Sequence, residues 1–210
     1  MIVISRSDTD YPDSLRVVSF PPPALFVEGD IELLNRVGVA VVGTRRMTAY
    51  GEQVTRTFVT GLVERGAVII SGLARGVDAV AHRQTLLMGG KTIAVLAHGL
   101  DTTYPPEHAR LRGEIVKGGG LIVSEQAPGT TLNKQRLALR NRIVAGLSRC
   151  VLVTESPRSS GTKITVGFAA DQGKDVYVVP GPVSYPTYLG SVEIMQDGGI
   201  PVTGVEQILL

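Results

Sequence analysis

The amino-acid sequence predicts an α/β protein with a doubly wound, mostly parallel sheet and helices on both faces. Three observations carry that expectation. Short apolar runs rich in valine and isoleucine recur from Val39 onward, separated by longer segments of helical pattern. The runs are continuously apolar rather than alternating, which marks strands covered on both sides by helices. Glycines stand just past the helical segments, at Gly66, Gly89, Gly118 and Gly173, where a left-handed cap favours them.

In chain order, residues 1–37 read as an N-terminal extended arm packed on the core, because Tyr11-Pro12 and Pro21-Pro22-Pro23 exclude a regular helix. Residues 38–210 form the α/β core. Its strands are expected at 39–42, 68–70, 92–96, 121–123, 151–153 and 176–179. Its helices are expected at 49–65, 78–88, 106–117, 136–147 and 162–172.

Composition narrows the class. With 43% hydrophobic residues in 210, the chain buries a full core. No apolar run approaches the roughly 20 residues that span a bilayer. The opening Met1-Ile2-Val3-Ile4 is broken at once by Ser5, Arg6, Ser7 and Asp8, so neither a signal peptide nor a membrane segment is expected and the cytoplasm is the expected location. The single cysteine, Cys150, reads as a core thiol; it allows no intramolecular disulfide and no cysteine-based zinc cage. His82, His98 and His108 are too scattered for a metal signature, and no metal or cofactor is expected. Ser71 and Ser159 lack a nucleophile elbow. A net charge of +2 is too mild to identify a nucleic-acid partner. Its placement says more. From 125 to 163 the acids are Glu125 and Glu155, against Lys134, Arg136, Arg140, Arg142, Arg149, Arg158 and Lys163.

In open α/β sheets, ligands bind where the chain leaves the carboxyl ends of strands, and three such loops have the composition of an anion cradle. The first runs from Gly43 through Thr44, Arg45, Arg46 and Thr48 to Gly51 and opens a helix whose first amides and dipole favour an anion. It is neither a dinucleotide fingerprint nor a Walker motif, which argues against NAD or ATP. The second, Ser71-Gly72-Leu73-Ala74-Arg75-Gly76-Val77-Asp78, allows close backbone approach, with Arg75 to reach phosphate and Asp78 to cap the next helix. In the third, Ser159, Ser160, Gly161 and Thr162 stand at a helix start beside Lys163. Glu125 and Glu155 close separate strands; they form a carboxylate pair, cap helices, or pair with Arg142. Between these loops lies Arg140-Asn141-Arg142. Its two guanidinium forks suit bidentate phosphate contacts, and Asn141 suits a base edge or the adjoining loop. By itself the same run is also the mark of a solvated helix face.

Taken together the motifs resemble the DprA/Smf family of DNA-processing proteins, over about residues 11–199. The stretches that carry the resemblance are Tyr11-Pro12 with Pro22 to Phe26; Val41-Val42-Gly43-Thr44-Arg45 with Thr48, Tyr50 and Gly51; Ser71 to Asp78 with Ala81-His82; Gly99-Leu100-Asp101 with Tyr104-Pro105; Ser124-Glu125; Arg140 to Ser148; Ser160-Gly161-Thr162; and Val179-Pro180-Gly181. The resemblance implies that residues 38–210 are a Rossmann-like DNA-binding domain that binds single-stranded DNA without catalysis, forms a homodimer, and delivers the strand to the RecA recombinase in natural transformation. It implies backbone contacts from Arg45 and Lys134. With the readings above, the expected DNA and phosphate site is Gly43, Thr44, Arg45, Arg75, Lys134, Arg140, Asn141, Arg142, Ser160, Gly161 and Thr162. The chain departs from the family pattern in one place that matters. Where the family carries a base-stacking aromatic three residues before the first arginine of Arg-Asn-Arg, this chain has Leu137, followed by Ala138. Neither a helical domain ahead of the arm nor a winged helix after Leu210, both common in the family, is expected. The competing reading is a nucleotide sensor or a nucleoside-monophosphate phosphoribohydrolase. Those enzymes are similar in architecture, but only Pro180-Gly181-Pro182 echoes their Pro-Gly-Gly-x-Gly-Thr loop. A third reading is an interaction scaffold using apolar surface such as Leu86, Leu87 and Met88.

Overall fold

The computed structural model describes residues 1–182 and 184–210. In chain order the elements are β1 (Ile2–Ser5), α1 (Asp13–Arg16), β2 (Ala24–Gly29), β3 (Gly38–Val42), α2 (Ala49–Glu64), β4 (Val68–Ser71), α3 (Val77–Leu87), β5 (Thr92–Leu96), α4 (Ala109–Lys117), β6 (Leu121–Ser124), α5 (Lys134–Leu147), β7 (Cys150–Val153), α6 (Thr162–Asp171), β8 (Val176–Val178), α7 (Leu189–Gln196) and β9 (Ile200–Pro201). One nine-stranded sheet runs β1-β2-β6-β5-β4-β3-β7-β8-β9. From β6 to β9 neighbouring strands are parallel, as the continuous apolar runs predict.

Alternate residues of one strand feed opposite layers. Ala40, Val42, Ile70 and Val95 pack with Ile143 and Val144 of α5 and Ala169 of α6. Val39, Val41 and Ile69 pack with Phe58 and Leu62 of α2 and Ala81 of α3. Ala94 and Leu96 meet Leu111 and Ile115 of α4 in a third cluster. Strands β3 to β7 are buried at every position, which is why they carry no period-two signal.

The arm differs from expectation. Two of its segments are strands of the same sheet: β1 pairs antiparallel with β2, and β2 pairs antiparallel with β6. Between them Tyr11, Leu15 and Val18 enter the core, and Leu15 packs against α5 where Gly146 leaves room; a Cβ there would lie 2.5 Å from Leu15 Cδ2. The expected helix at 106–117 divides into a short turn, Pro106–His108, and α4. Its cap glycine in the left-handed region is Gly119, at φ +71°, and not Gly118. Helix α5 starts two residues earlier than expected because the Asn133 side chain accepts from the Arg136 amide at 2.8 Å. Helix α7 and strand β9 lie outside the expected elements.

Candidate functional site

The sheet winds from β3 outward through β4 and β5 to β6, then returns to place β7 on the other side of β3. The loops leaving β3 and β7 therefore diverge, and open α/β sheets bind ligands at such a point. Here a cleft of about 750 Å³ is lined by the loops after β3, β4 and β7, by one face of α5 and by the start of α6. Of the expected site residues, Gly43, Thr44, Arg45, Lys134, Arg140, Asn141, Ser160, Gly161 and Thr162 line it. Arg75 and Arg142 do not.

The first loop is held from beneath. Gly43 is hemmed in, since a Cβ would stand 2.5 Å from Val77 Cγ2 and 2.8 Å from the Glu155 carbonyl oxygen. The Thr44 amide donates to that carbonyl at 2.8 Å, and Thr44 Oγ1 accepts from the Arg46 amide at 3.1 Å. The free helix N-terminus expected here is already filled. The buried carboxylate of Glu155 accepts from the Thr48 amide at 3.0 Å and from Thr48 Oγ1 at 3.1 Å, while the Gly51 amide donates to Thr48 Oγ1 at 3.0 Å. A protein carboxylate thus takes the place at the α2 dipole that a phosphate would occupy. The pull of this loop on an anion comes instead from Arg45 and Arg46, both exposed. Arg46, absent from the expected site, also lines the cleft.

Asp78 does not cap α3; its Oδ2 accepts from the Gly72 and Ala74 amides at 3.1 and 3.3 Å and pins the second loop. Burial raises its pKa, and the nearby Arg140 charge opposes that rise. Leu73, between the pinned residues, is buried with φ +55°, a backbone cost that the surrounding bonds hold in place. Arg75 lies outside the cleft lining and pairs with Glu107 at 2.6 Å, its side chain 60% exposed.

The two arginines of Arg-Asn-Arg part company. Residues two apart on a helix face directions about 200° apart, so α5 sends them to different places. Arg140 lines the cleft floor but is no open fork. Buried, it donates Nη1 to the carbonyls of Gly72, at 2.7 Å, and Val95, and Nε to Asn141 Oδ1 at 3.2 Å. Burial lowers its pKa and Asp78 counters that effect. Gly72 is required beside it, because a Cβ there would sit 2.4 Å from both terminal nitrogens. Arg142 leaves the site altogether. Its guanidinium grips Glu125 with both ends, Nη1 to Oε1 at 2.9 Å and Nη2 to Oε2 at 2.6 Å. It also donates to the carbonyls of Phe20 at 2.9 Å and Leu139 at 2.8 Å. It ties the arm, α5 and the end of β6 together, and phosphate has no access to it. Asn141 reaches across to the Gly161 carbonyl at 3.5 Å, holding the adjoining loop.

In the third loop Ser160 Oγ donates to Thr162 Oγ1 at 2.8 Å and accepts from the Thr162 amide at 3.2 Å. The cations here are drawn off: Arg158 and Lys163 both pair with Glu193. What remains facing the cleft is one sign of charge. Arg45, Arg46 and Lys134 are exposed and have no ion-pair partner among the described residues, and the acid in the lining, Asp78, is buried and bonded. Among the described residues no helix is long and apolar enough to cross a membrane.

The family model described as DNA recombination-mediator protein A matches residues 2–210. Protein Smf of Escherichia coli (strain K12) is 43% identical over 202 residues, which cover 95% of this chain and 53% of that protein; the chain thus spans about half the length of that relative. The X-ray structure of DNA processing protein A (DprA) from Streptococcus pneumoniae superposes with a TM-score of 0.92 at 39% identity, covering 98% of this chain and 72% of that one. A structure of DNA processing protein A from Helicobacter pylori, described for its single-stranded DNA binding mode, superposes with a TM-score of 0.86 at 31% identity over 93% of this chain and 89% of that one.

Proposed function

The chain belongs to the DNA recombination-mediator protein A family, that of the DprA and Smf proteins, and from that premise we propose that it binds single-stranded DNA along the carboxyl edge of its sheet, as a DNA-processing protein without catalytic chemistry. One observation carries the reading: the cleft exposes Arg45, Arg46 and Lys134 and no accessible acid. A surface of one sign bordered by apolar walls concentrates a polyanion, and side chains reaching phosphates position a strand without reading its sequence. The Ser160-Gly161-Thr162 turn and the Gly43-Thr44 backbone add hydrogen-bonding groups at the same edge. Arg140 acts from below, adding fixed positive charge and holding the Gly72 backbone in place. Arg75 joins the strand at the rim by exchanging Glu107 for phosphate. Pairing of two copies, delivery of the strand to RecA, a part in natural transformation and a cytoplasmic site of action belong to the same proposal, supported by family membership.

The test is fluorescence anisotropy with a labelled single-stranded oligonucleotide over a salt series, on the parent and on Arg45→Ala. Affinity is expected to fall with salt at a log-log slope of about −0.7 per phosphate neutralised, and Arg45→Ala is expected to weaken it. A flat salt response, or tight binding of a nucleoside monophosphate with release of free base, would sink the proposal.

A further inference from the structure

From Pro157 to Thr165 every residue lines the cleft except two, Arg158 and Lys163. These are the charged residues of that stretch, and one carboxylate on α7 holds both: Glu193 Oε1 stands 2.8 Å from Arg158 Nε, and Oε2 accepts from Lys163 Nζ. Sequence brings these cations to the cleft, and a side chain keeps them out of it. The post that keeps them is fixed. The Ser191 amide donates to the Ser156 carbonyl at 2.9 Å, and Ser191 Oγ accepts from the Ser156 amide at 3.0 Å. A Cβ on Gly190 would lie 2.3 Å from the Pro157 carbonyl oxygen, so the start of α7 is seated against the loop that carries Arg158. The cations are less firmly held. Their side chains are 68% and 38% exposed, and ion pairs open to water contribute little and are screened by salt. Two positive charges against one negative also leave the cluster with a net positive charge.

We propose that Arg158 and Lys163 form a further phosphate site of the cleft, and that Glu193 occupies it until a phosphate of the strand takes its place. The inference rests on the DNA-binding reading above. A carboxylate that meets two cations, one through each oxygen, stands in for the two non-bridging oxygens of a phosphodiester. The two anions do not share the site, since they repel each other on one pair of cations. Both sequence neighbours of each cation already line the cleft, so side-chain rotation carries the head groups across with the backbone in place. Ser160, Gly161 and Thr162 then supply hydrogen-bonding groups between the two cations. Glu193 is a competitor built into the chain, and it sets how much salt-sensitive affinity the third loop adds.

The experiment measures the anisotropy of a labelled oligo-dT at low salt with four proteins: the parent, Glu193→Gln, the double variant Arg158→Ala with Lys163→Ala, and the triple variant that carries all three changes. Glu193→Gln should bind roughly three- to tenfold tighter, the equivalent of releasing two exposed ion pairs. A gain of affinity is not a result that misfolding produces. The double variant should bind more weakly than the parent, and adding Glu193→Gln to it should change nothing. That last comparison separates a local competitor from the general effect of one less negative charge, which would tighten binding in either background. Unchanged affinity in Glu193→Gln, or a gain that survives the loss of Arg158 and Lys163, overturns the proposal while DNA binding stands. Parent-like affinity in the double variant overturns it too. Absence of binding by the parent overturns the DNA-binding reading and this inference with it.

Discussion

Replacing Arg142 with alanine separates the role read from the sequence from the role found in the fold. Its side chain is 5% exposed and that of Glu125 11%, and the substitution removes the bidentate pair together with the bonds to Phe20 and Leu139. Glu125 is left as an uncompensated charge out of water, a loss of about 3–5 kcal/mol. In a chain of this size each kcal/mol moves the unfolding midpoint by about 2–4 °C, so Arg142→Ala should melt roughly 6–20 °C lower by circular dichroism. Arg110→Ala is the control. The Arg110–Glu114 pair is 91% and 44% exposed at its side chains, and such helix pairs are worth about 0.3–0.5 kcal/mol. Arg142→Met combined with Glu125→Leu should recover most of the loss, since a buried pair exchanges for apolar groups of like volume at little cost. Below its midpoint Arg142→Ala should bind single-stranded DNA as the parent does. An unchanged midpoint with tenfold weaker binding would refute this reasoning and return Arg142 to the phosphate site.

Charge removal at the cleft should act oppositely: Arg45→Ala, Arg46→Ala and Lys134→Ala together should leave the melting temperature within a few degrees and flatten the salt slope by about 0.7 for each phosphate no longer neutralised. An unaltered slope would exclude the cleft as the interface. Gly51→Ala would place a Cβ 1.8 Å from the buried Glu155 Oε2; overpacking of that kind costs about 1–3 kcal/mol, measurable as a lower urea midpoint, and parent-like stability would contradict the filled α2 terminus. His82 is fully buried and its pKa is pushed down to about 3 by desolvation. The unfolded chain therefore binds a proton that the folded chain refuses, and stability present above about pH 6.5 is lost as pH falls toward 3, by up to about 1.4 kcal/mol per unit. Denaturant titrations at several pH values should show a shallower loss in His82→Gln. Burial pushes the Cys150 thiol up to about 11, so a disulfide reagent at pH 8 should label it only under unfolding conditions; rapid labelling of the native protein would contradict its burial.

The parallel core is legible in the sequence because a strand covered on both faces must be apolar at every position, and Val39 to Val42 state that locally. The Gly43-Thr44-Arg45 loop and Lys134 are legible for a similar reason: each follows a strand or opens a helix, and its neighbours in sequence are its neighbours in space. The arm is only partly legible because Pro21 to Pro23 dominate its local signal, whereas the pairing of Val27 with Val123 joins segments far apart in the chain. Glu125 and Glu155 have several roles open to them in the sequence for want of the same information. Glu155 lies just past β7 yet caps a helix that begins a hundred residues earlier.

By itself the sequence determined the α/β class, the order of strands and helices in the core, the family, and the loops that meet at the carboxyl edge, since these depend on periodicity, turn chemistry and motif. The tertiary structure alone decided which cations face outward. Arg140 and Arg142 are the same residue type two positions apart, but the turn of α5 sends one beneath the Gly72 backbone and the other onto Glu125. Arg142 gives its bonds to Glu125, Phe20 and Leu139 away from the cleft, whereas Arg140 gives Nε and Nη1 to Asn141, Gly72 and Val95 and still lines the cleft floor.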